Sequence, residues 1–127
     1  MISTVLIFLE LDIDERLANG DIKLVNDIAT VTINGKKKYF YSFASKYCSH
    51  HNQVEFPIYD SYVDIVLRYF RKADKFYNFK NEDLKDYCKF KNILLKFREY
   101  YGLQEFSLKE LDKYLWQFGK FYFPKKY

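Results

Sequence analysis

Residues 107–119 read Ser-Leu-Lys-Glu-Leu-Asp-Lys-Tyr-Leu-Trp-Gln-Phe-Gly, a stretch that combines a helix start signal with a helical apolar stripe. Ser107 is followed three residues later by Glu110, and this capping-box pattern satisfies free backbone N–H groups at the start of a helix. Apolar side chains then recur three, four and three residues apart, so they share one helix face. That stripe consists of Leu108, Leu111, Leu115 and Phe118. The segment therefore predicts an amphipathic helix with Gly119 near its end.

Three other stretches also predict helices that pack on a core. Apolar residues occur at helical spacing in residues 40–51, and Asp60 is a good N-cap for the helix that follows it. A third helix is expected to run without interruption over residues 81–101, with Cys88 among its inward-facing residues and Gly102 ending it. Trp116 is also expected in the core.

The first forty residues predict smaller elements. Short helices are expected over residues 14–18 and after Asp21, which is a good N-cap. Asn34-Gly35 is a turn signal, so residues 30–33 and 39–41 are candidate arms of a β-hairpin.

Composition favours packed helices and a single domain. The 127 residues are 49% hydrophobic, which excludes a disordered chain, and they include only 4 Gly and 2 Pro against 21% aromatics. Pro57 disfavours helix at the residue before it, so residues 56–59 are expected to be extended. No repeat or linker composition divides the chain. The expected fold is mainly α, a compact helical bundle or array over residues 1–127, with at most a minor β-hairpin.

Cysteine content and hydropathy suggest a location. Two cysteines do not make a disulfide framework, and no apolar run approaches the ~18 residues needed to span a bilayer. Residues 1–11 are apolar but lack the positive start and the small-residue cleavage site of a signal peptide. We therefore expect a cytoplasmic protein without a membrane partner.

Charge is distributed unevenly. Residues 1–65 carry 6 Lys/Arg and 9 Asp/Glu, a net charge of −3, whereas residues 66–127 carry 15 and 8, a net charge of +7. A basic half can form a polyanion-binding face. The alternative is that these lysines only solvate helix surfaces.

Common phosphate and metal motifs are absent. The chain contains neither a GxxxxGK[ST] loop nor a GxGxxG fingerprint. Cys48, His50 and His51 form the one cluster of soft metal ligands in the sequence. Neighbouring residues on a helix point about 100° apart, so the two histidines are read as surface or capping residues. We expect no metal site and no cofactor.

The middle of the chain contains a lysine and an aspartate in a suggestive order. Residues 40–51 read Phe-Tyr-Ser-Phe-Ala-Ser-Lys-Tyr-Cys-Ser-His-His, and residues 56–63 read Phe-Pro-Ile-Tyr-Asp-Ser-Tyr-Val. Lys46, near the start of one helix, is thus followed after a Pro-containing loop by Asp60, which opens the next. This arrangement resembles the helix-hairpin-helix DNA glycosylase superfamily, in particular its 8-oxoguanine glycosylase-like members. A more distant likeness to the late helix of these proteins is found in residues 112–119, where Leu-Trp is followed by Gly.

The resemblance implies a minimal or truncated glycosylase-like domain with specific site residues. Lys46 would be the nucleophile that attacks C1′ of a flipped nucleotide, and Asp60 would assist it. Partial burial and a helix N-terminus would lower the pKa of the lysine. The lysines of the hairpin would contact DNA phosphates, and four aromatic residues are candidates for stacking on the extruded base. These are Lys36, Lys37 and Lys38, and Tyr41, Phe43, Tyr47 and Tyr59.

Two function hypotheses follow. In the first, the protein binds double-stranded DNA and excises a modified base, such as an oxidised purine, as a glycosylase and abasic-site lyase. In the second, the same scaffold is a non-catalytic module that binds nucleic acid or an acidic protein through its basic second half. A homodimer remains open under both hypotheses.

Overall fold

The computed structural model describes residues 12–125, without the side chains of residues 31–33. Two strands lie between the second and third helices, β1 (Thr30–Ile33) and β2 (Lys36–Tyr39), and a 3₁₀ helix (Asn81–Lys85) precedes the fifth helix. The described helices are α1 (Ile13–Ala18), α2 (Leu24–Ala29), α3 (Tyr41–His51), α4 (Ser61–Asp74), α5 (Tyr87–Tyr100) and α6 (Leu108–Tyr122). The predicted mainly helical fold with one minor hairpin is confirmed. The apolar stretch at residues 1–11 lies outside the described residues.

The hairpin forms where the turn signal predicts it, but its second arm is shifted. Thr30 pairs with Tyr39, and Ile33 pairs with Lys36, in an antiparallel register. Asn34 and Gly35 both have positive φ, which is the conformation that a two-residue hairpin turn requires. The predicted second arm at residues 39–41 is wrong, because a two-residue turn starts the return strand immediately after Gly35.

The long helix predicted over residues 81–101 is broken into two elements. The 3₁₀ helix ends before Asp86, whose backbone is extended. The side-chain Oδ1 of Asp86 accepts the N–H of Lys89 and so caps α5. The helical register therefore starts at Tyr87, which is buried, and this register leaves Cys88 exposed. The prediction that Cys88 faces inward is wrong for this reason.

The core is one cluster of buried side chains to which every described helix contributes. Its largest fully buried side chains include Phe56, in the segment between α3 and α4, and Phe90 of α5. Within residues 12–125, none of the helices is both long enough and apolar enough to cross a membrane.

A close helix crossing joins α4 and α6 at Gly119. A Cβ atom at this position would lie 2.9 Å from the Cβ of Tyr62 and 2.9 Å from the Cγ2 of Val66. It would also lie 3.0 Å from the backbone oxygen of Tyr62. Glycine therefore permits contact between the two helices rather than ending α6, which continues to Tyr122.

Gly119→Ala should destabilise the protein although alanine favours helix. The helical preference of alanine is worth roughly 1 kcal/mol, whereas overpacking a core costs about 1–3 kcal/mol. We expect a net loss of unfolding free energy, measured by urea denaturation. Gln117→Ala, on an exposed position of the same helix, is the control and should change stability by no more than about 0.5 kcal/mol. A Gly119→Ala variant as stable as the wild type would contradict this account of the crossing.

Candidate functional site

The segment between α3 and α4 is held by side chains from three helices. The Tyr87 hydroxyl of α5 donates to the backbone oxygen of Pro57, and the Asp112 carboxylate of α6 accepts the N–H of Ile58 at 2.7 Å. The buried Ser45 hydroxyl of α3 accepts the N–H of Tyr59 at 3.0 Å. A buried backbone without a regular hydrogen-bond ladder needs such partners.

Asp60 closes this segment and begins α4. Its backbone is extended, and its Oδ1 accepts the N–H of Tyr62 at 2.7 Å, which confirms the predicted N-cap. Its Oδ2 lies 3.9 Å from the Nζ of Lys46 on α3. The structure therefore brings together the two residues that the sequence suggested as a catalytic pair.

One face of α6 completes the site. Lys109, Asp112, Lys113 and Trp116 are spaced three, one and three residues apart, so they project from the same side of the helix. Together with Lys46 and the start of α4 they line a cleft of about 470 Å³. The full lining is Lys46, Ile58, Asp60, Val63, Lys109, Asp112, Lys113 and Trp116. We call it the α6 cleft.

Asp112 is a buried carboxyl in the wall of the α6 cleft. Only 3% of the residue is exposed, and burial raises the pKa of its carboxyl to about 6. The N–H of Ile58 and the positive charge of Lys109 act in the opposite direction but are weaker. At neutral pH the site thus contains three lysines against two aspartates, and the excess of positive charge grows as Asp112 takes up a proton.

Lys46 lacks the two features expected to activate it. Its side chain is 55% exposed, and it is the sixth residue of α3 rather than a residue of its first turn. Its ion-pair partner is Asp60.

The four aromatic candidates for base stacking fall into two groups. Tyr41 and Tyr59 are buried, their rings lie 4.6 Å apart, and their hydroxyls donate to Leu84 and Asp64. Their ring faces belong to the core and are closed to an extruded base. Phe43 is exposed and Tyr47 is half-buried, so these two rings alone of the four are accessible. Neither lines the α6 cleft.

The remaining sequence candidates lie away from the α6 cleft lining. Lys36, Lys37 and Lys38 are exposed on β2. Cys48 is buried, and burial raises the pKa of its thiol to about 12, which disfavours the thiolate that binds metal. His50 and His51 are exposed in the last turn of α3. Among residues 12–125, no three His, Cys, Asp or Glu side chains converge as metal ligands.

Sequence reasoning missed the contribution of α6 to the site. It singled out none of Lys109, Asp112 and Lys113 within the basic second half, and it expected Trp116 in the core, whereas 37% of Trp116 is exposed at the cleft. Polar residues at helical spacing directly beside the apolar stripe were the available signal. The contact of Asp112 with Ile58 spans 54 residues of sequence, and no local pattern encodes it.

Comparison with known proteins adds sequence relationships. Residues 2–55 match a family model described as the N-terminal domain HI_0787_N. An uncharacterized protein of Haemophilus influenzae is 61% identical over 114 residues, which are 90% of this chain and 54% of that protein. The chain thus spans about half the length of this relative. No solved structure matches the chain. The matched family segment includes Lys46 and ends before Asp60 and α6.

The raised pKa of Asp112 predicts a pH-dependent stability. Because the folded state holds this proton more tightly than the unfolded chain, the contribution is fully present below about pH 4 and is lost as pH rises through about 6. At about 1.4 kcal/mol per pKa unit, its full size is up to about 3 kcal/mol. Asp112→Asn keeps an acceptor for Ile58 and removes the charge, so it should gain stability relative to the wild type as pH rises.

Urea denaturation of both proteins at about pH 4.5 and pH 8 measures this difference. Asp14→Asn, which removes an exposed carboxylate on α1, is the control for a general charge effect. An Asp112→Asn variant whose stability differs from the wild type by the same amount at both pH values would contradict the assignment.

Proposed function

We propose that this chain is a nucleic-acid-binding protein and that the α6 cleft is its binding site. The observation that carries the proposal is the convergence of Lys46, Lys109 and Lys113 with the exposed ring of Trp116 on one concave surface. Lysines neutralise phosphates, and an exposed aromatic ring offers a face to a base. The cleft volume of about 470 Å³ falls within the range of sites that accept small molecules or single nucleotides.

The excess of lysines over aspartates around the α6 cleft favours a polyanion as its ligand over a single acidic side chain. Two more lysines flank the cleft: the Nζ of Lys120 lies 4.8 Å from the Trp116 ring centroid, and Lys125 donates to Ser61 at the start of α4. Five lysines therefore surround two aspartates, one of which is buried and fixed to Ile58. A string of phosphates can contact several of these lysines at once. The proposal keeps the cytoplasmic location expected from the sequence.

Lys113→Ala should weaken nucleic-acid binding and reduce its salt dependence. Loss of one phosphate contact should lower the slope of log K against log salt by about 1. Fluorescence anisotropy with a labelled oligonucleotide over a range of salt concentrations measures both quantities. Lys72→Ala removes the same charge from an exposed position near the far end of α4 and should leave the slope unchanged. Equal effects of the two variants would reject the α6 cleft as the binding site.

Base excision is a second candidate function, favoured by the 3.9 Å separation of Lys46 and Asp60. In this reaction a deprotonated Lys46 amine forms a bond to C1′ of the sugar. The bond between C1′ and the base breaks, and its electron pair leaves with the base. Asp60, held rigidly as an N-cap, would stabilise the positive charge on the sugar. The exposure of Lys46 makes this candidate weaker than binding alone.

Borohydride trapping tests the excision reaction directly. With a duplex containing 8-oxoguanine or an abasic site, a Schiff base at Lys46 would be reduced to a stable covalent adduct. The adduct should disappear in Lys46→Gln and persist in Lys72→Gln. No adduct, together with no base release, would remove the catalytic hypothesis and leave the binding function intact.

A further inference from the structure

We propose that the nucleic acid bound by the α6 cleft is single-stranded and that one of its unpaired bases stacks on Trp116. This inference rests on the proposed binding function and adds the class of ligand. It departs from the double-stranded partner suggested by the sequence resemblance. Its basis is a stripe of lysines interrupted by one aromatic ring, on a helix that carries no acidic residue after Asp112.

The stripe follows directly from the helical spacing of α6. Lys109, Lys113, Trp116 and Lys120 are four, three and four residues apart, so they lie in one row along the helix. At 1.5 Å per residue the row is about 16 Å long, which is enough for several phosphates to lie beside it. Trp116 lies between Lys113 and Lys120, so a strand that contacts both lysines passes the indole.

Composition supports the same reading. Residues 113–125 contain three lysines and no Asp or Glu, so nothing on this part of the chain repels phosphate. Asp112, the last acid of the helix, is buried. A protein partner could also use the aromatic rings, but the absence of acids together with the excess of lysines favours a polyanion.

The ring of Trp116 distinguishes an unpaired base from a duplex. In a duplex the faces of the bases are covered by their neighbours in the stack, so a flat ring on the protein can contact only edges and backbone. In a single strand a base can turn its face to the protein, and stacking of this kind is tolerant of sequence. Trp116 lines the cleft and is 37% exposed, and the Nζ of Lys120 lies 4.8 Å from its ring centroid, so a base that stacks on the indole lies beside a lysine that can contact its phosphate.

The first measurement uses the tryptophan itself. Trp116 is the one tryptophan of the chain, so intrinsic tryptophan fluorescence reports on this ring alone. At low salt, a single-stranded oligonucleotide should quench this fluorescence. An abasic oligomer with the same number of phosphates should bind through the lysines without comparable quenching, because it lacks a base to stack.

The second measurement compares variants by anisotropy with labelled single-stranded and duplex DNA of equal length. The wild type should bind the single strand at least tenfold more tightly. Trp116→Ala should weaken single-strand binding by about tenfold or more and leave duplex binding within twofold. The matched control is Phe121→Ala, which removes an exposed ring from the same helix, five residues away and off the stripe. It should change neither affinity by more than twofold.

The outcomes separate this inference from the proposed function. Equal affinity for single strand and duplex, with no effect of Trp116→Ala but a clear loss in Lys113→Ala, would overturn single-strand stacking and keep nucleic-acid binding. No binding of either DNA at low salt by a folded protein would overturn both. An equal loss in Trp116→Ala and Phe121→Ala would also overturn the inference, because it would show that no specific ring receives the base.

Discussion

The backbone of residues 57–60 lies among four helices, and its polar groups must find partners there. Tyr87, Asp112 and Ser45 supply them to three consecutive residues, and Asp60 then caps α4. A lost buried hydrogen bond leaves an unpaired group, which costs roughly 1–3 kcal/mol. The four contacts therefore fix where α3, α4, α5 and α6 stand relative to one another.

The α6 cleft is a consequence of the same junction. Asp112 must lie on the inner side of α6 to reach Ile58, and the residues beside it on that helix face, Lys109, Lys113 and Trp116, are then directed toward Lys46 and the start of α4. Asp112, which the fold needs for its hydrogen bond to Ile58, thus also determines where the lysines and the tryptophan of the cleft lie. Its burial raises the pKa of Asp112 and couples the charge of the cleft to pH near 6.

Local signals predicted much of the fold. The capping box at Ser107, the N-cap at Asp60 and the Asn34-Gly35 turn all formed, because each depends on residues within a few positions. The break before α5 was missed, since periodicity does not distinguish a 3₁₀ turn followed by a new cap at Asp86 from a continuous helix. Gly119 was predicted near the end of α6 and lies there, but its close contact with α4 could not be predicted, because α4 packs against it from distant sequence.

The site was predictable only in part, and for a related reason. The order of Lys46 and Asp60 along the chain suggested the pair, and they do lie together. Tyr41 and Tyr59 are core residues, and this could not be predicted, since the sequence of a chain with 21% aromatics does not distinguish buried aromatic residues from exposed ones. The half of the cleft formed by α6 could not be predicted from the sequence, because it depends on tertiary contacts.

The most direct test of the central claim is an NMR titration of ¹⁵N-labelled protein with a short single-stranded oligonucleotide at low salt. If the α6 cleft is the binding site, the largest amide shifts should fall at Lys46, around Asp60 and along residues 109–120. Shifts confined to the hairpin lysines at residues 36–38, or a spectrum unchanged at saturating oligonucleotide, would contradict the account.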